Sequence, residues 1–375
     1  MIRLIILSIL LLLSLLAILK APTYHLWLMA IAVTEFPLIF VGGTLVMFAT
    51  GFWVNKYQLS GTVIGTVALL LFLSPIFRSY LVSRSLKQNL ETAFGNNDIK
   101  DDMQPFSFAK LFRLSYKDIV ASRSITYVTY KDTSLTLDFF PSQLPGKKPC
   151  VIVVHGGSWS SGDSKQLADL NSYLAKKGYN VAAINYRLAP KYQTPAPVED
   201  IKNALDYFRK YADELNIDTA KFVLLGRSAG AQIALLASYT LHDKGLKGAI
   251  DFYGPADMVW GYSIPSNPLI MNSRKVMGDY VGGTYAHVPD KYAACSPLFF
   301  VDKTSVPTLI IHGTNDVLVS DIHSAKLDKK LTENNIKHYW LKLPWATHGF
   351  DFNLYGPGGQ LSTYAVEKFL NAVTK

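Results

Sequence analysis

The chain has 375 residues, enough for one large globular domain and roughly 90 residues more. Its formal net charge is +9, but the Lys and Arg residues are scattered and no nucleic-acid-binding motif occurs, which argues against a nucleic-acid partner. The two cysteines form no CxxC pair, so the common cysteine-based metal sites are excluded and buried thiols are favoured over a disulfide.

Three apolar runs open the chain, at residues 4–19, 26–54 and 62–77. A bilayer core needs about 20 apolar residues per helix, so each run predicts roughly one span. Glu35 and Pro37 interrupt the second run, which leaves residues 37–54 to cross. A cleaved signal peptide is the alternative for the first run, but two further runs favour a retained anchor. We therefore predict a multi-pass membrane anchor over residues 1–85, with two to three transmembrane helices.

Basic residues flank these apolar runs unevenly. Lys and Arg near a span favour its cytoplasmic side. With three spans, four basic residues share the side of the following domain and two lie opposite: Lys20, Arg78, Arg84 and Lys87 against Arg3 and Lys56. This distribution predicts a cytoplasmic catalytic domain and membrane lipids as partners, since a basic surface suits anionic headgroups.

Residues 86–119 are predicted to be a linker or cap segment, because the stretch begins polar and contains Gly95 followed by two asparagines. From residue 120 to 375 strands alternate with helices after an antiparallel entry pair. This alternation predicts an α/β domain with a mostly parallel sheet and helices on both faces. Residues 255–294 interrupt the alternation and are rich in aromatics, Met, Gly and Pro. They are interpreted as a lid-like insertion rather than an ordinary surface loop.

A glycine pair follows the first buried strand of this domain. The apolar residues 151–154 run into His155, Gly156 and Gly157. Glycines let backbone amides approach a ligand oxygen, and acyl transfer needs such donors because negative charge develops on the carbonyl oxygen. The expected oxyanion donors are the amides of Gly156, Gly157 and Ala229, the last being the residue after the candidate nucleophile.

Ser228 is the candidate nucleophile. Apolar strand residues lead into Gly226-Arg227-Ser228-Ala229-Gly230, and a helix-forming run follows immediately. A strand, a sharp turn and a helix with serine at the apex form a nucleophile elbow. The glycines are needed because side chains there would collide with the adjacent strand and helix.

A serine nucleophile needs a base to take its proton and a carboxylate to orient that base. His348 is the expected base because it lies in a loop after the last strand, whereas His155, His312 and His338 lie at strand ends. Asp316, in the loop after the preceding strand, is the expected acid. Three other aspartates remain alternatives for the acid: Asp257, Asp321 and Asp351.

Six motifs, in this order, resemble those of the α/β-hydrolase superfamily, in particular the carboxylesterases around hormone-sensitive lipase, BD-FAE and isoprenylcysteine methylesterases. They are HGGSWSSGD (155–163), NYRLAP (185–190), PAPVEDIKNAL (195–205), GRSAGAQ (226–232), HGTNDVLV (312–319) and THGF (347–350). The chain order of Ser228, Asp316 and His348 is also that of the superfamily. The sequence departs from the lipase pattern at Ser158, usually glycine, and at Arg227, usually aspartate.

The resemblance implies a membrane-anchored serine carboxylester hydrolase, an esterase or lipase, that works through an acyl-enzyme without a metal or organic cofactor. Its substrate would be a small-molecule or lipid ester. Two alternatives remain. A peptidase of the same fold is disfavoured by the HGGSW and NYRLAP strings. A non-catalytic binding protein would be expected to have lost Ser228, Asp316 or His348.

Overall fold

The computed structural model describes residues 1–53, 57–95 and 104–375. An eight-stranded sheet forms the centre of residues 120–375, which we call the sheet domain. Its parallel strands are built from consecutive apolar residues, as in β3 (Lys148–Val154), where residues 150–154 are all buried. Strands that helices cover on both faces have no solvent side, so they need no polar alternation.

The order of the strands is β1-β2-β4-β3-β5-β6-β7-β8. The strands β1 and β2 pair antiparallel, β2 also pairs antiparallel with β4, and the pairs from β4 through β8 are parallel. The mostly parallel sheet predicted from the sequence is therefore confirmed. The remaining strand bounds are β1 Arg123–Thr129, β2 Ser134–Phe140, β4 Asn180–Ile184, β5 Ile217–Arg227, β6 Leu246–Phe252, β7 Thr308–Gly313 and β8 His338–Leu343.

Helices cover both faces of the sheet. One face carries α5 (Ala168–Lys176) and α12 (Pro357–Val373), and their apolar residues share a core with alternate strand residues such as Val151. The other face carries α6 (Ala196–Lys210), α7 (Ala229–Thr240) and α11 (Ile322–Glu333). The loops that follow the parallel strands lie together at the carboxyl edge of the sheet, where ligands bind in open α/β sheets.

The predicted insertion at residues 255–294, which we call the cap, contains three short helices. These are α8 (Met258–Ser263), α9 (Ser273–Val281) and α10 (Pro289–Ala294). Their buried residues, including Met277 and Tyr292, pack in the same core as α6 and α7. The cap is therefore an ordered layer over the carboxyl edge of the sheet.

Four helices precede the sheet domain, and we call them the N-terminal helices: α1 (Ile2–Ser14), α2 (Tyr24–Glu35), α3 (Pro37–Ala49) and α4 (Gln58–Phe94). The second apolar run breaks between Glu35 and Pro37, where the sequence predicted a break. Within the described residues, only α4 is a single helix long and apolar enough to cross a bilayer, and an 18-residue stretch of it has a mean hydropathy of 2.0. The helices α2 and α3 are long enough to cross a bilayer only when taken together, and they are bent by 85° relative to each other. The apolar helix α1 is shorter than a bilayer span requires. For the two to three spans predicted from the sequence, the described residues thus offer one single helix and one bent pair of helices.

The helix α4 continues beyond residue 85, where we predicted the anchor to end. Leu86, Leu90 and Phe94 are buried in the core of the sheet domain, and the Phe94 ring lies 4.9 Å from that of Phe369 in α12. The predicted linker, residues 86–119, therefore begins as helix. Its residues 96–103 lie outside the described part. The sequence suggested a linker because the exposed face of this helical segment is polar.

Candidate active site

Ser228 occupies the turn between β5 and α7 in a strained conformation, with φ 52° and ψ −121°. A side chain at Gly226 would place its Cβ 2.3 Å from the Ala231 Cα, and one at Gly230 would lie 2.3 Å from the carbonyl oxygen of Val154. Only glycine fits at either position, so the strand and helix can approach closely enough to hold the turn. The strain at a non-glycine residue is typical of functional positions.

The loop after β3 supplies the expected oxyanion donors. Gly157 has φ +120°, and a Cβ there would lie 2.1 Å from the carbonyl oxygen of Ser161. The amide of Gly156, however, donates to Oε1 of Gln166 at 2.7 Å. This departs from the expectation that Gly156 serves a substrate oxygen, because its hydrogen is already engaged. Gln166 was not a predicted site residue, and no motif signalled it.

Asp316 and His348 meet as the sequence predicted, with His348 Nδ1 2.6 Å from Asp316 Oδ2. The other carboxylate oxygen accepts the amides of Leu318 and Val319 at 2.8 and 2.9 Å. His312 Nε2 lies 3.2 Å from Oδ2. Burial alone would raise the pKa of Asp316, but the two histidines outweigh it and hold this pKa below its usual range. The acid therefore stays ionised, and both of its oxygens are held in place.

The rival residues have other partners. Asp257 accepts the amide of Trp260 at the start of α8 and pairs with Lys326. Asp351 pairs with Nε of Arg227 at 2.5 Å and accepts a hydrogen bond from Tyr253. Neither carboxylate is within hydrogen-bonding distance of His348 among the described contacts. Arg227, the departure noted at the elbow, thus belongs to a buried ion pair and also lines the cavity that contains Ser228.

His155 and His312 have structural partners. The His155 ring stacks on that of Tyr186 with centroids 4.3 Å apart, and burial lowers its pKa. His312 contacts Ser324 and supports Asp316. Burial would lower the pKa of His312, but the Asp316 carboxylate raises it overall.

A cavity of about 700 Å³, which we call the main cavity, is lined by Ser228, His348 and Gly157. A second pocket of about 390 Å³ lies under the cap. The two share the side chains of Ile270, Met271, Val276 and Leu318 as walls. Ser228 and His348 are therefore brought to one apolar space, with Asp316 behind the histidine. Within the described ranges, no group of three or more His, Cys, Asp or Glu side chains is arranged to hold a metal ion.

Sequence reasoning missed one wall of the main cavity. It is lined by Tyr24, Trp27, Leu28 and Ile31 of α2, which lie within residues 1–85, the predicted membrane anchor. The side chains of α2 itself are apolar on nearly all sides of the helix. Its sequence therefore contains no signal that distinguishes a face against lipid from a face against a cavity.

Comparisons with known proteins agree with this architecture. The BD-FAE family model matches residues 137–331, just over half of the chain. Esterase LipQ of Mycobacterium tuberculosis is 27% identical over 225 residues, which cover 56% of this chain and 52% of that protein. The probable carboxylic ester hydrolase LipM of the same organism is 27% identical over 275 residues, covering 69% and 62%. The chain thus spans between half and two thirds of the length of these relatives.

Solved structures show the same fold. A hyperthermophilic esterase from the archaeon Pyrobaculum calidifontis superposes with a TM-score of 0.59 at 20% identity, covering 80% of this chain and 99% of that one. A structure titled bacterial heroin esterase gives a TM-score of 0.59 at 21% identity, covering 71% and 88%. At these identities the likeness concerns the fold, which is that of the α/β-hydrolases.

Proposed function

The chain belongs to the BD-FAE family of α/β-hydrolases, and from this premise we propose that it hydrolyses carboxylic esters through Ser228, His348 and Asp316. One observation carries the proposal. A strained elbow serine and a histidine paired with a buried carboxylate at 2.6 Å line the same cavity. Relatives named as esterases support the same reaction class.

The proposed reaction has two halves. The Oγ of Ser228 attacks the ester carbonyl while His348 takes its proton, and Asp316 stabilises the resulting imidazolium. The tetrahedral intermediate expels the alcohol, which receives the proton from His348 and leaves an acyl-enzyme. Water then attacks the acyl-enzyme with His348 again acting as base, and the acid product leaves.

For the oxyanion we propose the amides of Gly157 and Ala229. Gly157 lines the main cavity, and Ala229 follows the nucleophile at the start of α7. The amide of Gly156 holds Gln166 instead, which fixes the loop that carries Gly157. Removing one such donor in other hydrolases costs about 10²–10³ in turnover.

We further propose that the N-terminal helices hold the enzyme on a membrane and that its substrates are small-molecule or lipid esters. Large apolar side chains of α1, α3 and α4 are exposed, among them Ile5, Leu12, Leu45, Leu59 and Leu70. Surfaces of this kind are unfavourable in water and suit a lipid environment.

The test of the proposed reaction is the variant Ser228→Ala. We expect it to lose labelling by a fluorophosphonate probe and to lose ester turnover by several orders of magnitude, since the nucleophile is gone. The matched control is Ser124→Ala, which changes an exposed serine on the edge strand β1. Full labelling of folded Ser228→Ala protein would show that another residue is the nucleophile.

A further inference from the structure

One face of α2 is a wall of the main cavity. Tyr24, Trp27, Leu28 and Ile31 follow the i, i+3, i+4, i+7 spacing that places side chains on one side of a helix, and all four line the cavity that contains Ser228. The opposite side buries Val33 in a cluster with α1 and α4 residues. The helix therefore lies between the candidate catalytic residues and the other N-terminal helices.

The sheet domain holds α2 at its start and at its middle. The amide of Tyr24 donates to the carbonyl oxygen of Leu269 in the cap at 3.2 Å. The indole Nε1 of Trp27 donates to the carbonyl oxygen of His348 at 3.0 Å. Ile31 faces Gly349: a Cβ added to this glycine would lie 3.3 Å from Cδ1 of Ile31. The helix thus contacts the loop that carries the candidate base.

The end of α2 is held by the buried side chain of Glu35. Glu35 accepts the amides of Gly358 and Gly359, at the start of α12, at 2.8 and 3.4 Å. Its carbonyl oxygen accepts Nδ2 of Asn353 at 3.1 Å. The first amides of a helix have no partner within it, and the Glu35 side chain supplies one for two of the amides of α12. The position of α2 relative to His348 is therefore defined along its whole length.

Several apolar side chains that line the main cavity are also exposed, as are many of those on the N-terminal helices. Tyr24, Leu28 and Phe352 line the cavity and remain 45, 44 and 59% exposed. Apolar side chains that are half exposed at a cavity rim can contact both a bound chain and the surrounding lipid. A substrate can thus pass from lipid to the catalytic serine along one apolar surface.

We propose that this face of α2 binds the apolar chain of the substrate, and that the substrate is an ester with a long hydrocarbon group taken from a lipid surface. The inference rests on the proposed function, because the ester carbonyl must lie at Ser228 while the chain extends along Leu28, Ile31 and Phe352. Each methylene buried there raises kcat/KM by up to about fourfold. The family match, residues 137–331, does not include this wall.

The test compares p-nitrophenyl butyrate with p-nitrophenyl dodecanoate on the full-length protein in detergent micelles. We expect the wild type to prefer the dodecanoate. Leu28→Ala should lower the dodecanoate-to-butyrate ratio of kcat/KM by about tenfold, because contacts with the chain are lost. Met29→Ala is the control: this neighbour on α2 is 36% exposed but does not line the cavity, so the ratio should stay unchanged.

A filling substitution tests the same wall from the opposite direction. Ile31→Trp should exclude the dodecanoate more strongly than the butyrate, and fluorophosphonate labelling of Ser228 shows that the variant is folded. Equal ratios for Leu28→Ala, Met29→Ala and wild type would overturn the proposal, as would a wild type that hydrolyses only the butyrate. In both cases Ser228-dependent butyrate turnover would leave the proposed reaction standing. Loss of that dependence would instead refute the reaction itself.

Discussion

At the scale of single residues, the site depends on positions with no room for a side chain as well as on hydrogen bonds and ion pairs. Gly226 and Gly230 leave no room for a Cβ, so the turn can place Ser228 in a conformation that few residues adopt. Asp316 is held by polar contacts, because two backbone amides and two histidines surround its carboxylate. The two histidines therefore hold the pKa of Asp316 below its usual range, which favours its ionised form.

The choice of acid follows from these contacts and can be tested directly. Asp316→Asn should reduce turnover by about 10⁴-fold, because the amide holds the histidine in the wrong tautomer. Asp257→Asn is the matched change and should cost far less, since Asp257 pairs with Lys326 and caps α8. Steady-state kinetics on p-nitrophenyl butyrate measures both. A larger loss in Asp257→Asn would move the acid to the loop after β6.

At the scale of elements, α4 has two halves with different surroundings. Its first half exposes Leu59, Val63 and Leu70, whereas its last turns bury Leu86 and Leu90 against the sheet domain. One continuous helix thus joins an apolar exposed surface to the protein core. The N-terminal helices and the sheet domain are therefore in direct contact through α4.

This continuity predicts unequal effects of two similar substitutions in α4. Leu86→Ala should lower the free energy of unfolding by about 2–5 kcal/mol, because it leaves a cavity in the core. Leu81→Ala, at a position that is 46% exposed, should change it by no more than about 0.5 kcal/mol. Denaturant unfolding in detergent followed by tryptophan fluorescence distinguishes them. Similar small effects would mean that α4 does not stabilise the sheet domain.

At the scale of the whole molecule, the N-terminal helices face two ways. Their inner side forms a wall of the main cavity and contacts α12, and their outer side is apolar and exposed. An anchor that only tethered the enzyme would need no contact with the candidate catalytic loop. The arrangement instead places the main cavity beside the surface that we propose to contact lipid.

Membrane attachment by apolar contact has a simple consequence. The full-length protein should remain in the membrane fraction after washing with high salt and with alkaline carbonate, because burial of apolar surface is not screened by ions. A peripheral protein held by its positive charge would be released by salt, since that attraction weakens as ionic strength rises. Immunoblotting of pellet and supernatant reports the result. Release by salt alone would contradict attachment through the apolar helices.

The local motifs and the fold class could be predicted from the sequence. The elbow at Ser228 and the loops that carry Asp316 and His348, the proposed acid and base, each follow a strand in a recognisable string. The break between Glu35 and Pro37 was visible as a charge beside a proline. These features depend on neighbours in the chain. Strand–helix alternation likewise indicated the parallel sheet, because buried strands need a continuous apolar run.

The partners of the N-terminal segment were decided only by the tertiary structure. Nothing in the sequence placed Trp27 against His348, Glu35 against α12 or Gln166 on the amide of Gly156, since each contact joins elements that are distant or have no motif. The sequence likewise did not show that α4 continues past residue 85 and packs its last turns against the sheet domain. Hydropathy records that a side chain avoids water, but lipid, protein core and a substrate cavity all exclude water, so only the packing shows which of them a residue faces.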